Sequence, residues 1–305
     1  MIREGTTEMN AKYITPAVTL FAEDGRHDGE AQAALYENLI KNHIDGILVQ
    51  GSIGEFFAMS MEMRRAIAKH AIDTVKGRTR LIIGTACMEF ERIAEYSNWC
   101  LDTGADAVMI VPPYYFPMDD ASVYNFFSRL AESIHGPVYL YNFPDRTGYS
   151  ISVETALRLA LEYPNIVGIK DTVAAMTHTR ELIKAIKGVR PDFEIFSGFD
   201  DNLAANALAG GDGCVAGLSN VAPEICAAWA HALNAGDVAG IQKGQQTINR
   251  MFDIYSVGPL FIPVIKEAVR QRGIIPSAAC TFPIPEITPA QQERVTAILK
   301  RESLI

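Results

Sequence analysis

The sequence predicts an α/β protein, a (β/α)8 barrel with a C-terminal helical extension. Eight short apolar runs alternate with helix-period segments at intervals of roughly twenty to thirty-five residues, about one β-α unit each. The runs lack strict alternation, as is typical of parallel strands buried on both faces. Doubly wound sheets usually have fewer strands, so eight units favour the barrel. The predicted strands are residues 13–21, 46–50, 80–85, 107–111, 137–141, 166–170, 193–197 and 213–217.

The segments between the runs have the apolar spacing of helices. Between residues 62 and 75, Met63, Ile67, Ile72 and Val75 lie near one helical face, and the charged residues lie elsewhere. After the eighth run the pattern becomes entirely helical, with apolar-periodic segments at 238–255, 260–272 and 289–304.

These patterns predict three parts of the chain. Residues 1–12 are expected to be a flexible N-terminus, residues 13–235 the barrel, and residues 236–305 a helical extension packed on it. No linker rich in Gly, Ser or Pro divides the chain, which favours one domain with an appendage. A division into two domains near Pro223 is the alternative.

Composition narrows the kinds of partner. The chain has 305 residues, 49% of them hydrophobic, a formal charge of -9 and a pI of about 5.2. This acidic balance favours a protein that acts on small molecules and not on nucleic acid. No apolar stretch is long enough for a membrane span, so a membrane is not expected as a partner either. The five cysteines form no Cys-x-x-Cys pair and read as reduced core residues, and the first residues lack an apolar signal region. We therefore expect a cytoplasmic protein.

Two neighbouring strands end on ionisable side chains. Tyr141 ends the fifth run, and Lys170 ends the sixth. Active sites of barrels lie where the strands end. A buried lysine there either pairs with a carboxylate such as Asp171 or is a neutral amine that attacks a ketone, because burial disfavours the charged form. Tyr141 is either a core tyrosine or the proton carrier that Schiff-base chemistry needs. Gly168 beside Lys170 is expected to leave room for a small 2-oxo acid.

The turn after the second strand is a further candidate. It reads Gly-Ser-Ile-Gly-Glu at 51–55, and its small residues allow backbone N–H groups to approach an anion. Ser52 is either a carboxylate ligand and proton relay or a turn residue. The six histidines have no metal-ligand spacing, and no Gly-x-Gly-x-x-Gly opens a helix, so neither a metal nor a nucleotide cofactor is predicted.

Several motifs together resemble one family, the pyruvate-dependent class I aldolases typified by dihydrodipicolinate synthase and N-acetylneuraminate lyase. The motifs follow one another in order along most of the chain. They are Gly-Ser-x-Gly-Glu at 51–55, Pro-Tyr-Tyr at 113–115, Tyr-Asn-x-Pro at 141–144, Gly-Ile-Lys-Asp at 168–171, Ser-Gly-x-Asp at 197–200 and Gly-Gly-Asp-Gly at 210–213.

The resemblance implies a role for each matching residue. Lys170 forms a covalent imine with pyruvate, with no separate cofactor, and Tyr141 is the general acid and base. Ser52 links Tyr141 to Tyr115, which in tetrameric relatives reaches across from a neighbouring subunit, so a homo-oligomer (a dimer or a homotetramer) is implied. Backbone N–H groups at Ser52 and Ile53 hold the pyruvate carboxylate. Substrate contacts also fall on Gly198 and Val215.

Two positions bear on the second substrate. Ile53 replaces a threonine of the typical enzymes, which removes a hydroxyl. Arg146 matches the arginine that dihydrodipicolinate synthases place near their second substrate. The stretches 54–57, 141–144, 169–172 and 264–268 look most like 2-keto-3-deoxy sugar acid aldolases.

The expected function is therefore a lyase that joins or cleaves pyruvate and an aldehyde, preferably within a 2-keto-3-deoxy sugar acid. The alternatives are 4-hydroxy-tetrahydrodipicolinate synthesis from pyruvate and aspartate semialdehyde, a dehydratase on the same imine scaffold, and a non-catalytic barrel that binds 2-oxo acids.

Overall fold

The computed structural model describes residues 9–305, and its eight parallel strands form a closed barrel in sequential order. This architecture confirms the predicted (β/α)8 fold. The strands are β1 (Lys12–Pro16), β2 (Gly46–Val49), β3 (Arg80–Gly84), β4 (Ala107–Ile110), β5 (Val138–Asn142), β6 (Ile166–Asp171), β7 (Glu194–Ser197) and β8 (Gly213–Val215).

Helices surround the barrel and follow it at the C-terminus. Most pack an apolar face on the strands, as the helix-period segments predicted. They are α1 (Gly29–Lys41), α2 (Met61–Val75), α3 (Phe90–Thr103), α4 (Asp120–Ser133), α5 (Pro144–Thr147), α6 (Val153–Glu162), α7 (Thr177–Ile186), α8 (Leu203–Leu208), α9 (Pro223–Ala235), α10 (Val238–Met251), α11 (Phe261–Gln271) and α12 (Pro289–Arg301).

β1 is shorter than the apolar run that predicted it. Residues 17–21 stay buried, and the N–H of Ala17 still donates to the carbonyl of Leu48 in β2, but the amides of Val18 and Leu20 leave the strand ladder. The N–H of Val18 donates to the side-chain oxygen of Asn220 at 3.0 Å, and that of Leu20 to Gln32 at 2.9 Å. The prediction of a strand to residue 21 was therefore wrong, because hydrophobicity reports burial and does not distinguish a strand from a buried loop whose amides bind side chains.

The barrel closes where β8 pairs with β1, and Gly213 of β8 lies opposite Lys12 of β1. Gly213 has a φ of +118°, and a Cβ atom there would lie 2.0 Å from the carbonyl oxygen of Lys12. Only glycine combines this backbone conformation with such a close approach.

A layer of polar side chains fills the barrel at the N-terminal ends of the strands. Lys12, Arg80, Tyr139 and Glu194 come from the alternate strands β1, β3, β5 and β7. Lys12 and Arg80 donate to Glu194 at 2.5 and 2.7 Å, and the Tyr139 hydroxyl also donates to it. Burial acts against the charge of Glu194, but these partners outweigh it and lower the pKa of that carboxyl.

The C-terminal helices share the hydrophobic core of the barrel. One cluster of buried side chains contains Leu233 of α9 together with Ile248, Val264 and Val295 of α10, α11 and α12. This continuity supports our proposal that residues 236–305 are an extension of the barrel and not an independent domain. The alternative division near Pro223 falls at the first residue of α9, the helix that follows β8.

The expected flexible segment, residues 1–12, lies partly outside the described part of the chain, which begins at residue 9. Its last residues are held in place, because the N–H of Ala11 donates to Asn234 and Lys12 opens β1. Across residues 9–305, no helix has both the length and the hydropathy of a membrane span.

His27 and His70 pack edge to face, with ring centroids 5.3 Å apart. Burial, together with the charge of His70, lowers the pKa of His27 to about 4. An unfolded histidine titrates near 6.5. Between these values the unfolded chain binds the proton and the folded chain does not, so stability falls as the pH drops from about 6.5 to 4.

We expect His27→Gln to remove part of this acid sensitivity. Denaturant unfolding at several pH values gives the free energy of unfolding, and its slope between about pH 4 and 6.5 should be shallower in the variant. His231→Gln, at an exposed position of α9, is the matched control and should keep the parent slope. Equal slopes in His27→Gln and the parent would contradict the assignment.

Candidate active site

The pairing of β5 with β6 brings two polar strand ends together. Val138 is opposite Ile166, but Tyr139 is opposite Gly168, so β6 carries one extra residue. This bulge sets the register beyond it, where Tyr141 is opposite Lys170 and Asn142 is opposite Asp171. Tyr141 and Lys170 therefore both face the open end of the barrel.

Lys170, Tyr141 and Ser52 form a short chain of polar atoms. Lys170 Nζ lies 3.3 Å from the Tyr141 hydroxyl, which lies 3.4 Å from Ser52 Oγ. Lys170 is 4% exposed and Tyr141 5%. The amine also lies 4.3 Å from the centre of the Tyr141 ring. The groups are close enough to transfer protons to one another once substrate binding shortens these distances.

Lys170 has no carboxylate partner among residues 9–305. Asp171, its neighbour in sequence, points away and is fully buried. It accepts hydrogen bonds from Asn142 at 2.7 Å and Thr179 at 2.6 Å, and it contacts His178 Nδ1 at 3.0 Å. Pairing of Lys170 with Asp171, the alternative interpretation of the sequence, is therefore excluded by the geometry.

The same contact shifts the pKa of a histidine. Burial alone disfavours a charged His178, but the hydrogen bond and the charge of Asp171 outweigh it and raise the pKa of His178. Asp171 thus raises the pKa of His178 and accepts a hydrogen bond from Asn142, the last residue of the neighbouring strand β5. The carboxylate ties together the ends of the two strands that carry Lys170 and Tyr141.

The turn formed by residues 51–55, which we call the 51–55 turn, follows β2 and approaches the same end of the barrel as Tyr141 and Lys170. The N–H groups of Gly54 and Glu55 donate to Gly51 and Ser52 within the turn. In the described structure no acceptor receives the N–H of Ser52 or Ile53. Ile53 is 4% exposed and borders the cavity beside Gly217. Two free amides and a buried amine border one cavity, an arrangement that can bind a small carboxylate.

These groups border a cavity of about 240 Å³ at the C-terminal end of the barrel. Most predicted site residues line it, including Gly198, Val215 and Arg146. Arg146 lies in α5 with its guanidinium 5.5 Å from the Phe143 ring, and Phe143 stacks on Tyr141. The full lining is Pro16, Ser52, Ile53, Tyr141, Phe143, Asp145, Arg146, Lys170, Thr172, Gly198, Phe199, Asp200, Val215, Ala216, Gly217, Phe252, Tyr255 and Phe261.

One expectation about this cavity was wrong, and one predicted site residue lies apart from the cavity. Gly168 does not leave room for a substrate, because a Cβ atom there would lie 2.5 Å from the ring of Tyr139. Neighbouring residues of the barrel take up that space. Tyr115 lies outside the cavity and is 79% exposed, with its ring edge to face against Phe116.

The sequence did not single out a buried acid at the cavity wall. Asp200 accepts hydrogen bonds from Tyr13 and Tyr255 and from the N–H of Leu218. Burial raises the pKa of Asp200, and these donors only partly offset that effect. Its motif, Ser-Gly-x-Asp, was a signal, but the two tyrosines are distant in sequence and their convergence follows only from the closed barrel.

In the part of the chain that the structure describes, no three His, Cys, Asp or Glu side chains are grouped as metal ligands. All five cysteines are free thiols.

Comparison with known proteins links the chain to a family. The model of the "Dihydrodipicolinate synthetase family" matches residues 9–302. The putative 2-dehydro-3-deoxy-D-gluconate aldolase YagE of Escherichia coli K12 is 36% identical over 281 residues, which cover 92% of each chain. The probable 2-dehydro-3-deoxy-D-pentonate aldolase YjhH of the same organism is 32% identical over 292 residues, 96% of this chain and 97% of its own.

A solved structure agrees with the match over the whole barrel and its extension. The crystal structure of YagE, described as a prophage protein of the dihydrodipicolinic acid synthase family from E. coli K12 in complex with pyruvate, superposes with a TM-score of 0.94 at 34% identity. The superposition covers 97% of this chain and 99% of that one. With the family model matching nearly its full length, the chain belongs to the dihydrodipicolinate synthetase family.

Proposed function

We propose that the protein is a pyruvate-dependent class I aldolase that cleaves or forms a C–C bond between pyruvate and an aldehyde. The observation that carries the proposal is the buried amine of Lys170, free of any carboxylate in residues 9–305, 3.3 Å from the Tyr141 hydroxyl. An uncharged amine is the nucleophile that attacks a ketone. The family and its aldolase-named relatives support the same chemistry.

Each residue of the candidate site has a role in the proposed reaction. Lys170 Nζ adds to the pyruvate carbonyl, and the carbinolamine loses water to give a covalent imine, so no separate cofactor is required. Loss of a methyl proton gives an enamine, whose carbon adds to the aldehyde; water then releases the product and restores Lys170. Tyr141 moves the protons, with Ser52 as its partner. The free amides of Ser52 and Ile53 bind the carboxylate of pyruvate.

Trapping with borohydride tests this mechanism. Incubation with pyruvate and reductant should add one reduced pyruvate per chain at Lys170, located by peptide mass spectrometry. Lys170→Ala should remain unmodified, and Tyr141→Phe should be trapped at a rate about 10²- to 10⁴-fold lower, the usual contribution of a general acid and base. An unmodified Lys170 peptide in the parent protein would contradict the mechanism.

We propose a 2-keto-3-deoxy sugar acid as the substrate. Thr172 and Asp200 add polar groups to the cavity, and Arg146 at its rim can bind a distal hydroxyl or carboxylate. The two E. coli relatives carry names of aldolases for such acids. Arg146 also favours a second candidate, the condensation of pyruvate with aspartate semialdehyde, because its guanidinium can pair with the carboxylate of that aldehyde.

Arg146→Gln separates substrate recognition from imine formation. We expect kcat/KM for the preferred second substrate to fall about tenfold or more, because a charge-assisted hydrogen bond is lost. Trapping by pyruvate should stay unchanged. Comparing cleavage of 2-keto-3-deoxygluconate with turnover of aspartate semialdehyde, in parent and variant, identifies the substrate. Faster turnover of aspartate semialdehyde would reverse our preference.

A non-catalytic 2-oxo acid binder is the candidate from another class. Ile53 favours it, because a hydroxyl is missing from the carboxylate site. Thermal stabilisation by pyruvate that persists in Lys170→Ala, with no lyase activity in the parent, would establish it instead.

We further propose a cytoplasmic homo-oligomer, a dimer or a homotetramer. Five free thiols are typical of a reducing compartment. Tyr115 and Phe116 are 79% and 70% exposed, and Phe57 and Met88 are about half exposed. Phe57 and Met88 border one groove together with Tyr114, which precedes Tyr115 in the sequence. Exposed apolar side chains grouped in this way are typical of a subunit interface. Tyr115 would there complete the site of a neighbouring subunit.

Tyr115→Phe tests this contribution. Removal of the hydroxyl should lower kcat about tenfold or more, as expected for a lost proton-transfer partner, with the midpoint of thermal unfolding unchanged. Sedimentation analysis of the parent should give a multiple of the 33.4 kDa chain. A monomeric, fully active parent would contradict the proposal.

A further inference from the structure

The 51–55 turn is held from behind by a buried ion pair. Glu55 ends the turn in the left-handed region, with a φ of +62°, and its side chain is fully buried. The carboxylate pairs with Lys266 of α11, whose side chain is also fully buried. The two residues are 211 positions apart in the sequence, and the pair joins the barrel mouth to the C-terminal extension.

The remaining polar contacts of the pair also come from the extension. Thr281 donates its N–H and its hydroxyl to Glu55, each at 2.7 Å. Lys266 Nζ donates to the carbonyl of Ala279 at 2.7 Å and lies 4.7 Å from the Phe21 ring centre. Glu55 is therefore bound by α11 and by the segment after it. No residue of the extension that contacts Glu55 lines the substrate cavity.

Burial makes this pair costly to break. Two charges out of water are tolerated only when each has its partner, and removing one partner leaves the other uncompensated. Buried ion pairs contribute little net stability compared with apolar residues of similar size, and a geometric role is one reason to retain them. The pair with Lys266 involves the last residue of the 51–55 turn, in which the Ser52 and Ile53 amides are free.

We propose that Glu55 and Lys266 are positioning residues that fix the 51–55 turn so that its free amides meet the carboxylate of pyruvate. The pair makes affinity for the 2-oxo acid depend on the C-terminal extension. This inference rests on the proposed function. Neither residue touches the substrate, and both act through the backbone of Ser52 and Ile53.

Three variants separate positioning from stability. Glu55→Gln and Lys266→Met each leave one group unpaired and should lower the unfolding midpoint. The double variant Glu55→Gln/Lys266→Met removes both charges and should recover much of the midpoint. Lys187→Met, which breaks the partly buried pair of Lys187 and Asp212 away from the cavity, is the matched control.

The first measurement is the pyruvate concentration that gives half-maximal borohydride trapping. All three variants should raise it about tenfold or more, as for weakened hydrogen bonds to a charged group, while trapping at saturating pyruvate stays within about threefold. The control should match the parent. A double variant that regains both the parent midpoint and the parent half-saturation would show a purely stabilising pair and overturn the inference, as would unchanged half-saturation in folded single variants.

The second measurement needs no substrate. Hydrogen–deuterium exchange should show that the Gly54 and Glu55 amides, which are bonded within the turn, lose protection in the variants while β2 and β3 keep theirs. Unchanged protection of the turn would overturn the inference. If pyruvate does not modify the parent protein, the proposed function fails, and exchange still decides whether the pair fixes the turn.

Discussion

The candidate site depends on the register between β5 and β6. A continuous ladder from Val138 and Ile166 would place Tyr141 opposite Ile169, and Lys170 opposite Asn142. The extra residue in β6 instead sets Tyr141 opposite Lys170. Because successive side chains of a strand point to opposite faces, a slip of one residue separates two groups that now face one cavity. The bulge is thus the local feature that turns two buried strands into a reactive pair.

The next pair along the same strands secures this register. Asn142 donates to Asp171 across the two strand ends, and Thr179 and His178 of α7 contact the same carboxylate. One fully buried carboxyl group therefore joins β5, β6 and the helix that follows them. The carboxylate stabilises the position of Lys170 from the outer face of the barrel, without approaching its amine.

Much of this could be predicted from the sequence, because apolar runs and helical periodicity are local properties. The strand ends at Tyr141 and Lys170, and the turn at Ser52, followed from that pattern together with the rule that barrel sites lie at strand ends. The functional roles of Lys170, Tyr141, Ser52, Ile53, Arg146, Gly198 and Val215 stay predictions.

The rest depends on contacts between distant segments. The bulge in β6 leaves no mark in its hydrophobicity, so the register could not be predicted. The end of β1 was placed too late because the side chains of Asn220 and Gln32, far along the chain or in the next helix, satisfy its following amides. The room expected beside Gly168 is filled by Tyr139, a neighbour that only the observed register identifies.

The polar layer formed by Lys12, Arg80, Tyr139 and Glu194 has a consequence for the order of events. It occupies the opposite end of the barrel, and none of the four residues borders the cavity. Among the described residues, these side chains fill the barrel at that end, and the cavity lies at the C-terminal end of the strands. Lys170 lies within that cavity, so under the proposed chemistry pyruvate binds before the aldehyde in the condensation, and the aldehyde leaves before pyruvate in the cleavage.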